Sequence, residues 1–307
     1  MSSIPRKTSK KVLGGVLGSV LVASGFYSQA KKKMLSSHNV TGLFFHNPTE
    51  KLFLHCIRWL KANGCTFLSS DQLVEMIQKG STPPPRSVWI SLDDGWKGNL
   101  SQVIPSVMEY NVPITIFIST NPIEKGFFWF DFARKYSRYL PEEYRHDVKK
   151  LWSIPETKRK QIILSLEQAV PKPIEREAMS IEDIKSLSRL PQVTIGAHGV
   201  HHALLANCNS SELDFELKES KSKLEEWTGK EVKFFAYPHG SVNNDVKEAL
   251  QKVGFTLAAT LEKKPISVED DPYFIPRYGV NDEAFFPESI CQIVGVWWKF
   301  LKYFPFF

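Results

Sequence analysis

The sequence predicts an α/β fold, a deformed (β/α) barrel of seven or eight parallel strands in a single domain. Three observations carry that expectation. From residue 41 onward, short apolar runs alternate with helical patterns, the rhythm of βα units in a parallel sheet. The 307 residues hold no internal repeat and no second composition regime, and 42% apolar content suffices for one large core. The residue types best suited to chemistry stand directly after apolar runs, and in a parallel barrel all those strand ends lie on one face.

The elements follow in order. Residues 41–46 read as a strand, 48–63 as a helix closed by Gly64, and 65–68 as a second strand. Ser70 caps a short helix ending near Gly80, and Pro83, Pro84 and Pro85 form a stiff connector. Residues 88–92 make the third strand, 99–110 a helix and 112–119 a fourth strand. Residues 121–179 then break the rhythm: an aromatic cluster at 127–131 precedes helical stretches at 141–151 and 156–169, and Pro171 and Pro173 end them. This reads as a long insertion after a strand, the kind of loop that carries substrate contacts in barrel enzymes. There Trp129, Phe130 and Asp131 are candidates to contact a substrate. The rhythm resumes with helix 180–190, strand 192–197, helix 211–228, strand 232–237, a helix ending at Gly254, strand 255–260 and a last strand at 273–280.

Charge separates the ends from the body. Of 39 basic side chains, seven (Arg6, Lys7, Lys10, Lys11, Lys31, Lys32, Lys33) precede residue 34 without an acid, leaving 32 against 33 acids. A body of net charge about −1 offers no phosphate-tracking surface, so nucleic acid is excluded as a partner. Between the basic clusters, residues 12–30 are apolar and glycine-rich, and residues 1–37 read as an export signal or retained anchor. Lys31 to Lys33 argue against simple export, and Met34 as true start would make the protein cytoplasmic. The barrel is expected over 38–285. Residues 286–307 end in an aromatic tail with Lys299 and Lys302, suited either to a membrane interface or to docking on the core. Cys56, Cys65, Cys208 and Cys291 lack metal-site spacing and read as small buried residues, with a Cys56–Cys65 bridge open in an oxidising compartment.

The candidate site assembles from strand ends. His46 ends the first strand, Asp93-Asp94-Gly95 the third, His198 and His202 follow the fifth, and Tyr237-Pro238-His239-Gly240 the sixth. On a helical turn, the H-x-x-x-H spacing puts His198 and His202 on one side, and with one carboxylate they form a two-histidine, one-aspartate metal set with open positions. Zinc is the usual occupant, although other first-row metals suit the same donors. Alternation along a strand end sends Asp93 and Asp94 to opposite sides, so only one ligates.

These residues resemble the motifs of the polysaccharide deacetylases, the family-4 carbohydrate esterases, over most of 41–280. Ser91-Leu92-Asp93-Asp94-Gly95 is similar to the family's T-F-D-D-G, which implies Asp93 as catalytic base and Asp94 as metal ligand. His198 to His202 resembles H-[ST]-x-x-H, implying two further ligands, with Gly199 where a hydroxyl residue is usual. Ala236-Tyr237-Pro238-His239-Gly240 resembles R-x-P-Y-G in part: it implies an oxyanion contact from the His239 amide, but Ala236 replaces the arginine that orients the base. In a permuted, exopolysaccharide-directed branch, Phe44-Phe45-His46-Asn47 would supply the acid, His46, and Pro276-Arg277-Tyr278-Gly279-Val280 the missing arginine, Arg277.

The resemblance thus implies a metal-dependent hydrolase of linear amide C–N bonds that removes acetyl groups from N-acetyl hexosamine in a polysaccharide or lipid-linked glycan. Asp93 would deprotonate water, and His46 would protonate the departing amine. O-deacetylation, which tolerates weaker acid catalysis, is the rival reaction. A catalytically lapsed carbohydrate-binding or assembly protein is the rival class, motivated by Ala236 and Gly199.

Overall fold

Apolar runs with no polar face cannot leave either side in water, so they pair into a sheet with cover on both sides. In the computed structural model, which describes residues 6–303 apart from Lys172, the chain opens with helices α1 (Arg6–Ala23) and α2 (Phe26–Ser36). It continues through β1 (Thr41–Phe45), α3 (Glu50–Ala62), β2 (Thr66–Leu68), α4 (Ser70–Lys79), β3 (Ser87–Leu92), α5 (Asn99–Gln102), α6 (Ile104–Tyr110) and β4 (Ile114–Ile118). The insertion holds α7 (Thr120–Lys125), α8 (Trp129–Lys135), α9 (Glu142–Arg145) and α10 (Glu156–Ala169). Then come α11 (Ile181–Ser188), β5 (Val193–Ala197), α12 (Ser210–Thr228), β6 (Phe234–Ala236), α13 (Asn244–Val253), β7 (Leu257–Ala259), β8 (Tyr278–Gly279), α14 (Phe286–Ile293) and α15 (Val296–Tyr303).

All strand pairs are parallel, in the order β7-β6-β5-β4-β3-β1-β8, with β2 also pairing β3. β2 and β4 share one edge of β3: β2 takes Ser87 to Trp89 and β4 takes Ser91 and Leu92. The curved sheet turns back on itself where Ile275 bridges Ala259 of β7, three residues before Tyr278 pairs with Leu43 of β1. This is the predicted deformed barrel. Side chains alternate between two cores: Trp89, Phe117, Phe234 and Leu257 belong to one, while Val88, Ile90, Ile116 and Phe235 pack under the outer helices.

Several local expectations change. The helix predicted over 99–110 is two pieces meeting at Val103, and in the insertion 148–152 is a 3₁₀ turn. The last strand shrinks to two residues because Pro272 and Pro276 have no N–H to give a ladder. The apolar segment 12–30 is broken between α1 and α2, where Gly25 sits at φ 79°. No single helix among the described residues is long and apolar enough to cross a membrane. The bent pair Lys11–Ala23 and Phe26–Ser36, meeting at 75°, qualifies only when taken together. Instead α1 packs on α14, where Gly14 and Gly18 face Glu288 and the Cys291 thiol donates to the Gly18 carbonyl. All four cysteines are free, so Cys56 and Cys65 form no bridge, and Cys65 and Cys208 are only partly buried. Of the aromatic tail, residues 304–307 lie outside the described residues; Trp297 is buried in the core.

The insertion builds its own apolar cluster around Phe127, Trp129, Phe132, Tyr144, Leu151 and Leu166. It is tied to the barrel mouth by the antiparallel bridge of Trp96 with Ala178 and by the Met179 amide donating to the Gly95 carbonyl at 3.0 Å. That tie holds the insertion beside the end of β3, where the two aspartates emerge.

Candidate active site

The sheet register extends one residue past β3, β5 and β6 and fixes where three of the chain's segments enter the cleft. The Asp93 amide donates to Phe45 O at 2.9 Å, the His198 amide to Ile118 O at 2.9 Å, and the Tyr237 amide to Ala259 O at 3.1 Å. Asp93 and Asp94, adjacent on the chain, then diverge, because Asp94 adopts φ 77°. The cleft they enter has a volume of about 560 Å³, and its lining includes His46, Asp93, Asp94, His198, His202 and His239.

Asp93 points into the barrel and meets Arg277. The guanidinium forks onto the carboxylate, with Nη1 donating to Oδ1 at 2.8 Å and Nη2 to Oδ2 at 3.0 Å. Nη1 also donates to Ser91 Oγ at 2.8 Å and Nε to Thr260 O at 3.3 Å, so no face of the cation lacks a partner. Phe44 lies 4.6 Å and Phe117 5.5 Å from the guanidinium carbon. Arg277 is 0% exposed and Asp93 2%. A pair buried this completely is tolerable only when bidentate and fully hydrogen-bonded. Position 236 bears no arginine; the guanidinium reaches Asp93 from the closing strand instead.

Asp94 turns the other way, toward the histidines. Its Oδ1 lies 3.2 Å from His202 Nε2 and 3.5 Å from His198 Nε2, while Oδ2 accepts from Trp96 Nε1 at 2.9 Å. His198 Nδ1 is 2.6 Å from the Ala236 carbonyl, which can only accept, so Nδ1 carries the proton and Nε2 offers its lone pair to the cleft. Burial alone would raise the Asp94 carboxyl, but His198 and His202 hold it well below the usual carboxylate range. Burial pushes the His202 imidazole down despite Asp94, and that favours the neutral, ligating form. The donor atoms of Asp94, His198 and His202 all lie within 4.8 Å of one another. Asp94 Oδ1, buried and accepting no hydrogen bond, is the atom a cation would satisfy. These residues fit a divalent metal with nitrogen and oxygen donors.

The segment joining the histidines is not the helical turn expected. Gly199 has φ 75° and His202 φ 54°, so the chain reverses through two left-handed residues, and the two rings meet with centroids 4.8 Å apart. His201 points away from the cleft, its Nδ1 2.6 Å from Glu216 Oε1.

His46 stands at the mouth, with Nδ1 3.9 Å from Asp282 Oδ2. Asp282 also accepts from the His46 and Asn47 amides at 3.1 and 3.0 Å, so it sets the backbone as well as facing the ring. Desolvation lowers the His46 imidazole, but Asp94, Asp93 and Asp282 together leave it above its ordinary value. His239 takes φ 53°, and its ring lies 3.9 Å from that of Trp152. The surrounding walls push it down to about 4, with His202 adding to the effect.

Of the insertion residues singled out, Phe130 and Asp131 line the cleft, but Trp129 does not. Trp129 is buried among the insertion's apolar side chains with Arg159 over its ring, and Trp152 supplies an indole to the cleft instead. Sequence reasoning missed Asp282, Trp152 and Trp96. Asp282 carried a weak signal, being a carboxylate three residues past the closing strand. Trp152 carried none.

Comparison with known proteins agrees with this geometry. Residues 80–258 match the polysaccharide deacetylase family. The poly-beta-1,6-N-acetyl-D-glucosamine N-deacetylase of Staphylococcus epidermidis is 25% identical over 241 residues, 78% of this chain and 70% of that protein. The fold is shared with the Streptococcus pyogenes deacetylase PplD, solved with acetate, at TM-score 0.61 and 15% identity over 83% of this chain and 97% of the other. It is also shared with IcaB from Ammonifex degensii, at TM-score 0.60 and 17% identity over 85% and 97%.

Proposed function

Because this chain belongs to the polysaccharide deacetylase family and is a hydrolase of linear amide C–N bonds, we propose that it removes N-acetyl groups from a polymer of β-1,6-linked N-acetylglucosamine. The observation that carries the reading is the opposed pair of aspartates: one forked by a buried arginine, the other facing two imidazoles in the same cleft. The polymer is suggested by the relative from Staphylococcus epidermidis, whose name specifies it.

Each residue then has work to do. Asp94, His198 and His202 hold a divalent cation, most simply zinc, which when bound supplies Lewis acidity toward the acetyl carbonyl. Asp93 takes a proton from the attacking water. Arg277 keeps both Asp93 oxygens oriented, so proton transfer needs no rearrangement of the base. The His239 amide offers a hydrogen bond to the developing oxyanion. His46, protonated and steadied by Asp282, gives its proton to the amine nitrogen, which leaves poorly without it. Phe130 and Trp152 offer flat apolar faces to sugar rings. The fork on Asp93 weighs against a lapsed site, because Arg277 supplies what Ala236 cannot.

Acetate release from β-1,6-linked N-acetylglucosamine oligomers tests the reading. Turnover is expected with added zinc, to be abolished by chelator and by Asp93→Asn, and to fall at least about tenfold in Arg277→Lys, since lysine cannot fork a carboxylate. Metal-loaded protein that binds the oligomers without releasing acetate would leave only the binding-protein reading. Release from O-acetylated but not N-acetylated glycan would favour the esterase. Full turnover in Arg277→Ala would remove that residue from the site.

We further propose that the N-terminal helices rest against a lipid surface. Val12, Val16 and Val20 recur every four residues along α1 and stand 51 to 57% exposed, Phe26 follows at 63%, and Lys31 to Lys33 lie on α2. The full chain is expected to co-sediment with anionic vesicles and to lose this with Val16→Glu and Val20→Glu together. Equal recovery in the supernatant with and without vesicles would rule it out.

A further inference from the structure

The turn that brings His198 and His202 together is held from two sides. Its carbonyls face the end of β4: Ser119 Oγ donates to His198 O at 2.8 Å, the Thr120 amide to Gly199 O at 3.2 Å, and the Asn121 amide to Val200 O at 2.9 Å. Its amides face a single side chain. Val200 N and His201 N both donate to Glu216 Oε2, at 2.8 and 2.9 Å, and His201 Nδ1 meets Glu216 Oε1 at 2.6 Å. Glu216 projects from α12 between the buried Leu213 and Leu217 and is itself 1% exposed.

A carboxylate in the interior costs several kcal/mol unless paired, and all three of these contacts are with this turn. Gly199 and His202 both turn left-handed in it, and His202, which carries a Cβ, keeps that conformation only where its surroundings over-determine it. Gly199 is also the position at which the resemblance leads one to expect a hydroxyl residue. A Cβ there would lie 3.0 Å from Glu216 Oε2, so a side chain on residue 199 and the Glu216 carboxylate compete for one space.

We infer that Glu216 is the positioning residue of the cation site: it stands in for the side chain that residue 199 lacks and fixes the 198–202 turn so that both imidazoles face Asp94. This rests on the reading that Asp94, His198 and His202 hold a divalent cation. Glu216 acts through the backbone and touches neither cation nor substrate.

The test is zinc affinity, read by competition with a chromophoric chelator, for the whole chain and for Glu216→Ala, Glu216→Gln and Gly199→Ala, with metal-free thermal unfolding measured alongside. Glu216→Ala is expected to weaken zinc by about 10- to 100-fold, the usual consequence of removing a partner that orients ligands. Glu216→Gln is expected to stay close to wild type, because its carbonyl can accept both amides while its NH₂ faces His201 Nδ1. Gly199→Ala attacks the same contact from the other side and is expected to weaken zinc as well. Cobalt substituted for zinc would show an altered visible spectrum in Glu216→Ala and Gly199→Ala only. If Glu216→Ala melts earlier but binds zinc as wild type does, the residue is merely structural and the inference fails. Should that variant not fold, unchanged affinity in Gly199→Ala overturns it. Wild type that binds no zinc would instead sink the cation reading itself.

Discussion

At the scale of the residue, the cleft sets three carboxylates around one imidazole. His46 as general acid must carry its proton when the amine leaves, so activity persists on the acid side of its pKa and falls as pH rises through it. Burial depresses that pKa, and in the cation-free cleft Asp94, Asp93 and Asp282 more than restore it. Asp94 loses its pull on His46 once it carries a cation, and Asp93 is matched by Arg277, so Asp282 is the carboxylate whose influence a substitution reads cleanly. Asp282→Asn is therefore expected to move the falling limb of kcat/KM to lower pH, in addition to any loss of rate from disturbing the His46 and Asn47 amides. A limb that stays in place would assign Asp282 to the backbone alone.

At the scale of the element, the glycines of α1 carry the argument. In the sequence, Gly14, Gly15, Gly18 and Gly25 within an apolar segment read as a loosely patterned signal. In the fold they divide the labour: Gly25 bends the chain at positive φ, Gly18 allows the backbone of α14 to approach, and Gly14, one turn earlier, leaves room for the Glu288 side chain. A Cβ on Gly18 would lie 2.5 Å from Glu288 N and 2.7 Å from its Cα, both backbone atoms that cannot swing aside. Gly18→Val should force the two helices apart, at a cost of about 1–3 kcal/mol. The strands pair only with one another, so the expected signature is selective: amide protection lost in α1 and faster proteolysis there, with exchange in β3 to β5 unchanged. Uniform loss of protection would mean that α1 belongs to the cooperative core.

At the scale of the molecule, what was legible in the sequence is what parallel-sheet physics repeats. Apolar runs gave the strands, and their polar successors, Asp93, Asp94, His198 and His239, were placed at one mouth because parallel strands end together. Arg277 was legible only through the resemblance of Pro276-Arg277-Tyr278-Gly279-Val280 to the permuted branch, since it stands before β8 and not after it. The helical turn expected for 198–202 was not found, because spacing alone does not reveal that Gly199 and His202 turn left-handed. Trp152 and Trp129 exchanged roles because orientation within an irregular insertion follows packing, not period. The mouth of the barrel thus joins β3 to the turn after β5 through Asp94 and two imidazoles, elements far apart in sequence. A cation bound there links them only in the folded state, so it should stabilise the whole fold by mass action: about 2.7 kcal/mol when free metal is one hundred times its dissociation constant. For a chain of this size that is a rise in Tm of about 4–5 °C. Calorimetry of chelator-treated protein with and without zinc measures it. The expected rise should vanish in a His198→Ala, His202→Ala double variant, because Asp94 alone is too weak a ligand to hold the ion. A rise that survives in that variant would place the cation elsewhere, with the second cluster of Glu156, His201 and Glu216 the next set of donors to examine.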